Sequence, residues 1–417
     1  MNNIFAEIIT IGDELLYGQI TDTNSQWIST ALDKAGIKVL RKTSVGDTEE
    51  EILSALKEAE QRAKIILITG GLGPTNDDLT KPTLTKYFKT KLVMNNEALA
   101  NLQAIYDTLG RELSDLNRKQ AELPEDCKII PNTIGSASGM WFEKEDKAII
   151  SMPGVPHEMK MMMSKHIIPQ LQKTYDTPII YHKVIKTVGI GESDLATLIK
   201  KWEDNLPKHI KLAYLPSLAQ VKLRLSAFGK DEKILKKEVE ELINKLREII
   251  DKYIYGYDKD ELAEIVGQLL KATNQNIAVA ESCTGGYISH LITSIPGSST
   301  YFRGGITPYQ NDIKINMLRV KAETIFEHGA VSEETVIEMA ENVQKLYHTD
   351  FGLATSGIAG PSGATPEKPV GTIWVAVSDG KETKTKLLRL WKDREMNIKT
   401  TAIVVLNILR RRLLENN

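Results

Sequence analysis

The stretch that decides the fold is IILITGGLGPTNDDLT, residues 65–80. The run from Ile65 to Thr69 is short, apolar and β-branched, which suits a strand buried on both faces. Glycines at 70, 71 and 73 and a proline at 74 then break it. A buried strand that opens through a glycine loop into a helix is the repeating unit of a parallel sheet, and such sheets bind ligands outside the carboxyl ends of their strands. Gly70, Gly71 and Gly73 let the backbone approach a ligand, and the helix beyond aims free amides at any phosphate there. Asp77 and Asp78 would repel that phosphate unless a hard divalent cation lay between them. The plainer alternative is that both aspartates cap the helix.

Working outward, IFAEIITIG and IKVLRKTSVGD read as two further strands, each followed by a segment of helical spacing, and KAIISMPG near residue 150 as another. NEALANLQAIYDTLGREL between them is a helical excursion. The alternation predicts a doubly wound α/β domain over 1–172. From 173 to 256 the pattern changes to a small α+β connector, with paired strands IKLAYLP and AQVKLRLSAFG, a long charged helix and a turn-rich seal at YGYDKDE. Its GIGE loop is faintly similar to the KH loop of nucleic-acid-binding domains, but Glu192 and Asp194 place negative charge where a phosphate backbone would approach. Residues 257–417 alternate again as a second α/β domain, with a hairpin at VGTIWVAVSDG and TKTKLLRLW.

A chain of 417 residues with 41% hydrophobic and 26% charged residues reads as a soluble multi-domain α/β protein. A formal net charge of -2 disfavours a general nucleic-acid or membrane binder. The one basic triplet, Arg410 to Arg412, reads as a solvated helix end. Two cysteines make neither a disulfide framework nor a zinc site, and the amino-terminal residues lack the pattern of a signal peptide, so a reducing cytoplasm is the expected location. No apolar run approaches the roughly 20 residues that span a bilayer.

GGLGPTNDDLT, with IGDELLYGQITDTN upstream and NRKQAELP and MPGVPHEM downstream, resembles the N-terminal half of the CinA family, which is similar to the molybdopterin-binding fold of MoaB and MogA. The resemblance implies metal-dependent hydrolysis of ADP-ribose to AMP and ribose 5-phosphate. It places nucleotide contacts at Glu14, Asn24, Gly70, Gly71, Gly73, Thr75, Asn132, Pro153 and Gly154. Asp47, Asp77 and Asp78 would hold a divalent ion, magnesium, manganese or cobalt. GSASG at 135–139 departs from the family where a proline is usual before the last glycine.

In the last segment VAESCTGGYISH sets Ser282, Cys283 and Thr284 side by side ahead of two glycines. A cysteine nucleophile needs a nearby cation, in practice a histidine, and His290, His328 and His348 occupy no evident loop motif. Cys283 therefore reads as packing. A serine can be activated by a lysine whose pKa burial has lowered, and Lys314 is the candidate, although an exposed lysine is the ordinary reading of such a residue. AESCTGG, GSSTYFRGGITPYQNDIK, GAVS and SGIAGPSGATPEKPVGT resemble, in order, the C-terminal half of CinA, also found alone as the PncC nicotinamide-nucleotide amidase.

That resemblance implies deamidation of nicotinamide mononucleotide without a cofactor. Ser282 would attack, Lys314 take the proton, Ser356 relay or position it, and Arg394 bind the substrate phosphate or tune the lysine. Thr284, Gly285, Gly286, Gly357 and Gly360 would line the substrate site, with oxyanion or phosphate donors expected near Gly285, Gly286 and Gly357. Tyr309 would form a wall against the pyridinium ring. Pro308 departs from the polar or small residue usual before that tyrosine. The expected partners are these small nucleotides and a second copy of the chain in a homodimer. Two rival readings remain: an N-terminal module that binds a nucleotide or pterin without cleaving it, and a competence adaptor, which the near-neutral charge does not favour.

Overall fold

The computed structural model describes residues 4–75, 77–108 and 110–415. It divides into two compact units, Met1–Tyr181 with Phe228–Leu235 and His182–Ala227 with Lys236–Asn417. In the first unit the strand Ile65–Thr69 lies at the centre of a six-stranded sheet, parallel to Phe5–Ile11 on one side and Lys147–Met152 on the other. Lys38–Val45 extends it in parallel beyond Phe5–Ile11. Gly139–Lys144 and Lys128–Ile130 add an antiparallel edge.

Period-two alternation explains why two layers of helix are needed. Ile8, Leu67 and Ile150 face a cluster with Ile28 and Leu32 of the helix Thr23–Lys34 and Met159 of Pro156–Met162. Ile9, Ile66, Ile68 and Ile149 face the other way, onto Ile52 and Leu56 of the helix Glu49–Arg62. The expected excursion is the helix Asn96–Thr108, framed by a two-stranded ribbon, Leu92–Met94 with Glu122–Pro124, that has no signal in the sequence strong enough to predict it.

In the second unit, the connector forms a four-stranded sheet in the order Ile210–Ser217, Gln220–Gly229, Ile179–Val188, Ile254–Tyr257. YGYDKDE is thus only partly a turn, because its first residues belong to an antiparallel strand paired with Ile179–Val188. The C-terminal sheet runs Phe302–Ile306, Ile277–Glu281, Phe351–Gly357, Thr372–Ser378, Thr383–Arg389, with the first three parallel and the last two forming the expected hairpin. One face is alanine-rich: Ala278, Ala280, Ala354 and Ala376 pack against Met339 and Val343 of the helix Glu333–Tyr347. Gly352 allows that approach, since a Cβ there would lie 2.0 Å from the Ala340 carbonyl oxygen.

The solvated-helix-end reading of Arg410 to Arg412 holds for exposed Arg411 but is overturned at its two neighbours. Arg410 is 2% exposed and donates to the carbonyls of Ile254 and Lys252, while Arg412 pairs with Asp379. Among the described residues no helix is long and apolar enough to cross a membrane.

Gly70 is the point where the central strand turns into its loop. Its φ is +115° and a Cβ would sit 2.2 Å from the Ile11 carbonyl oxygen. We predict that Gly70→Ala destabilises the first unit by about 1–3 kcal/mol, the scale of a strained backbone position. The check is a lower urea midpoint for the transition that reports the first unit.

Candidate functional site

In the C-terminal sheet two parallel strands end side by side. The amide of Ser282, the residue after Ile277–Glu281, donates to the Thr355 carbonyl on the neighbouring strand at 3.0 Å. Lys314 enters from the short helix Asn311–Asn316 and is 2% exposed. Its Nζ lies 3.2 Å from Ser282 Oγ and donates to the carbonyls of Pro308 and Tyr309 at 2.9 and 3.3 Å. Among the described residues no carboxylate pairs with it, and burial, the largest cause, pushes its pKa down. A lysine so placed is biased toward the neutral amine that can accept a proton.

Cys283, one residue on, belongs to the hydrophobic core, and burial pushes its thiol up to about 12. Burial therefore disfavours the Cys283 thiolate at neutral pH, as expected of a packing residue. Thr284 is buried and its hydroxyl lies 2.8 Å from that of Thr355.

The loop between nucleophile and helix is shaped by a residue that the sequence reading passed over. Glu281 is 1% exposed, yet among the described residues no cation pairs with it. Its carboxylate accepts from the amides of Gly286, Ile288 and Ser289 at 3.2, 2.9 and 2.8 Å and from the Ser289 hydroxyl at 2.7 Å. Gly285 and Gly286, at φ +60° and +98°, turn the chain back so that these donors converge. The Gly286 amide is therefore spent on Glu281, and that of Gly285 on the Ser282 carbonyl at 3.2 Å. Neither is free as the oxyanion donor that the sequence suggested. The only local sign of Glu281 was an acidic residue closing an otherwise apolar strand.

Ser356 is also placed differently. It is 1% exposed, and its hydroxyl donates to the Ala330 carbonyl at 2.5 Å rather than to Ser282 or Lys314. Arg394, the first residue of the C-terminal helix Arg394–Glu415, joins two loops, donating to the Gly360 carbonyl and the Tyr309 hydroxyl, both at 2.8 Å. Tyr309 is 54% exposed, so its ring faces the open side. Gly357 pairs with Ile373 in the sheet.

The first unit gathers its strand-end loops in the same way. Asn24 Nδ2 donates to the Gly154 carbonyl at 2.7 Å and reaches Thr69 Oγ1 at 3.3 Å, and Thr69 in turn donates to Pro153 O at 2.9 Å. The Gly70 amide bonds to Met152 O at 3.1 Å. Asn24 Oδ1 is buried without a protein partner, a free acceptor among these loops. Asp78 caps no helix: the cap of Thr80–Tyr87 is Leu79. Its carboxylate instead staples the loop, accepting from the amides of Gly73 and Thr75 at 2.7 and 2.9 Å and from the Thr75 hydroxyl at 2.5 Å. Asn132 is fully buried and structural, donating to Ala137 O and Glu158 at 2.9 and 2.7 Å.

Asp13, passed over beside Glu14, exchanges bonds with Asp47: the Asp13 amide donates to Asp47 at 2.9 Å and the Asp47 amide to Asp13 at 3.4 Å. Burial foremost, then the charges of Asp13, Glu14 and Asp77, raises the Asp47 carboxyl above its ordinary pKa against the lowering by the Asp13 amide. Such crowding of acids is what a divalent cation relieves. Among the described residues no group of three or more His, Cys, Asp or Glu stands ready to hold one.

A CinA-like protein of Cytophaga hutchinsonii is 52% identical over 413 residues, 99% of this chain and 99% of its own. The chain belongs to the CinA family. A CinA-like protein of Flavobacterium psychrophilum is 44% identical, again over 99% of both chains. By domain, residues 259–413 match the CinA C-terminal domain, 182–256 the damage-inducible protein CinA KH domain, and 7–173 the family described as "Probable molybdopterin binding domain". Among solved structures, a CinA protein with unknown function from Thermoplasma acidophilum is 32% identical, covering 42% of this chain and 98% of that one at a TM-score of 0.37.

Replacing the Glu281 carboxylate by an amide puts an NH₂ against a backbone donor. We predict that Glu281→Gln costs on the order of 2 kcal/mol, the scale of a lost charge-assisted bond with a donor left unpaired. Guanidinium unfolding followed by far-UV circular dichroism measures it, and a midpoint equal to wild type would contradict the role given to Glu281.

Proposed function

We propose that the C-terminal domain is a serine–lysine amidase that converts nicotinamide mononucleotide to nicotinate mononucleotide and ammonia. The observation that carries the reading is the buried Lys314 amine, 3.2 Å from Ser282 Oγ and without a carboxylate partner. Ser282 Oγ attacks the amide carbonyl carbon as its proton passes to neutral Lys314 Nζ. The proton then goes to the departing nitrogen, the C–N bond breaks, and ammonia leaves an acyl ester on Ser282. Lys314 next takes a proton from water as the water attacks the ester, and returns it to Ser282 Oγ as nicotinate mononucleotide departs. The exposed guanidinium of Arg394 suits the substrate phosphate, and the exposed Tyr309 ring beside it suits a pyridinium cation. Ser356 acts through the Ala330 loop and not as a proton relay.

Ser282→Ala and Lys314→Ala are expected to lower kcat for ammonia release by about a thousandfold or more. Cys283→Ala should stay within about threefold of wild type, since that side chain serves packing. An active Ser282→Ala with a dead Cys283→Ala would overturn the assignment. The pH dependence follows from the sign of the Lys314 shift. Burial lowers its pKa, the neutral amine is the working form, and activity is lost as pH falls through that lowered value. An activity that rose on acidification would contradict a lysine base.

For the N-terminal domain we propose hydrolysis of ADP-ribose to AMP and ribose 5-phosphate. Two carboxylates with ligand phosphates are the common way to hold magnesium, and Asp47 and Asp77 fit that pattern better than Asp78, which is committed to its loop. A divalent ion there would neutralise charge between the acids and the pyrophosphate. The chain itself would hold the phosphates against the glycine loop at 70–73 and the sugar near Asn24. AMP release measured with magnesium, manganese and cobalt is expected to need the metal and to fall at least about tenfold in Asp47→Asn. Tight ADP-ribose binding without AMP would point instead to a non-catalytic module.

A further inference from the structure

Away from both strand-end sites, the second unit contains a cleft of about 520 Å³. One wall is the connector loop Val188 to Gly191, and the other is the C-terminal helix with the edge strand Thr383–Arg389. The walls are fixed to each other. Buried Arg410 reaches from the helix to the carbonyls of Ile254 and Lys252 at 2.9 and 2.8 Å, and Lys186 of the connector donates to Asp260 O at 2.6 Å and to the Glu261 carboxylate at 3.0 Å.

The lining is rich in positive charge and donors. The lining holds four cations, Lys384, Lys386, Arg411 and Arg412, and one carboxylate, Glu415, while Arg412 is committed to Asp379 and Glu382 beside it. Glu415 is already shared, 2.7 Å from Lys384 and 3.7 Å from Arg412. Among the described residues neither Lys386 nor Arg411 forms an ion pair, although the Arg411 charge acts on Glu415 from a distance. Asn407 is 8% exposed, its Oδ1 accepts from Arg410 at 3.1 Å, and its Nδ2 has no recorded acceptor. Gly189, at φ +82°, leaves room beside that amide, since a Cβ would stand 2.9 Å from it. The loop then opens into the helix Glu192–Asp204, whose first amides no side chain caps.

We propose that this cleft binds a phosphorylated small molecule of nucleotide size. Its volume lies in the range of small-molecule pockets. Unpaired cations and an unspent amide answer the charge and lone pairs of a phosphate. Glu192 and Asp194 stand in the first turn beyond the loop, where they oppose a polyanion running past it. That asymmetry selects a compact ligand over a nucleic-acid strand.

The test is photolabelling of the full-length protein with 8-azido-ADP, followed by peptide mapping. Label is expected in peptides from 188–191, 384–386 or 404–415, displaced by ADP and inorganic pyrophosphate but not by adenosine. Lys386→Glu combined with Arg411→Glu should lower it at least tenfold while labelling of the N-terminal unit persists. Lys386→Ala with Arg411→Ala, which introduces no new charge, should act in the same direction if the reversal disturbs folding. No label in these peptides, undiminished label in both double variants, or equal displacement by adenosine would overturn the proposal. So would displacement by single-stranded DNA but not by ADP.

Discussion

A lysine amine buried against a serine hydroxyl, with carbonyl oxygens as its only other partners among the described residues, is the constraint that the C-terminal domain has to meet. Burying an ammonium is expensive without a carboxylate, so the pocket itself favours the neutral form. The fold meets the demand by separating its charges. Glu281, the nearest acid in sequence to the nucleophile, is turned onto backbone amides, where its charge is satisfied without a cation. The parallel strands then set Ser282 at the carboxyl end of an interior strand, and the turn ending at Tyr309 delivers Lys314 from the side.

The N-terminal domain solves the opposite problem. Its loops collect acids instead of dispersing them, and the cost appears in the raised pKa of Asp47. Asp78 escapes that crowding by becoming part of the loop's internal bonding. Two adjacent aspartates in the sequence thus have different environments, which spacing alone could not distinguish.

Much of the architecture was legible because both α/β domains bury strands on two faces, and that burial leaves short apolar runs punctuated by glycine. Resemblance supplied what periodicity could not: Lys314 sits in a six-residue helix with no pattern to mark it. The remainder was invisible for a physical reason, since it depends on partners distant in sequence. Arg410 looks like a solvated end until the carbonyls of residues 252 and 254 come to meet it. The bond from the Ser356 hydroxyl to the Ala330 carbonyl is likewise a contact that sequence spacing could not show. Glu281 and Asp13 were missed because a carboxylate at a strand end has the same local signature whether it faces water or folds back onto amides.

The burial of Cys283 has a consequence for the conditions in which the domain can work. A protonated thiol held inside the core is a poor target for alkylating agents and peroxide, which attack accessible thiolate. In the proposed mechanism the nucleophile is an alcohol, so the reaction would not route through the thiol. A site of that kind would tolerate oxidising conditions, even though a sulfur atom sits one residue from Ser282.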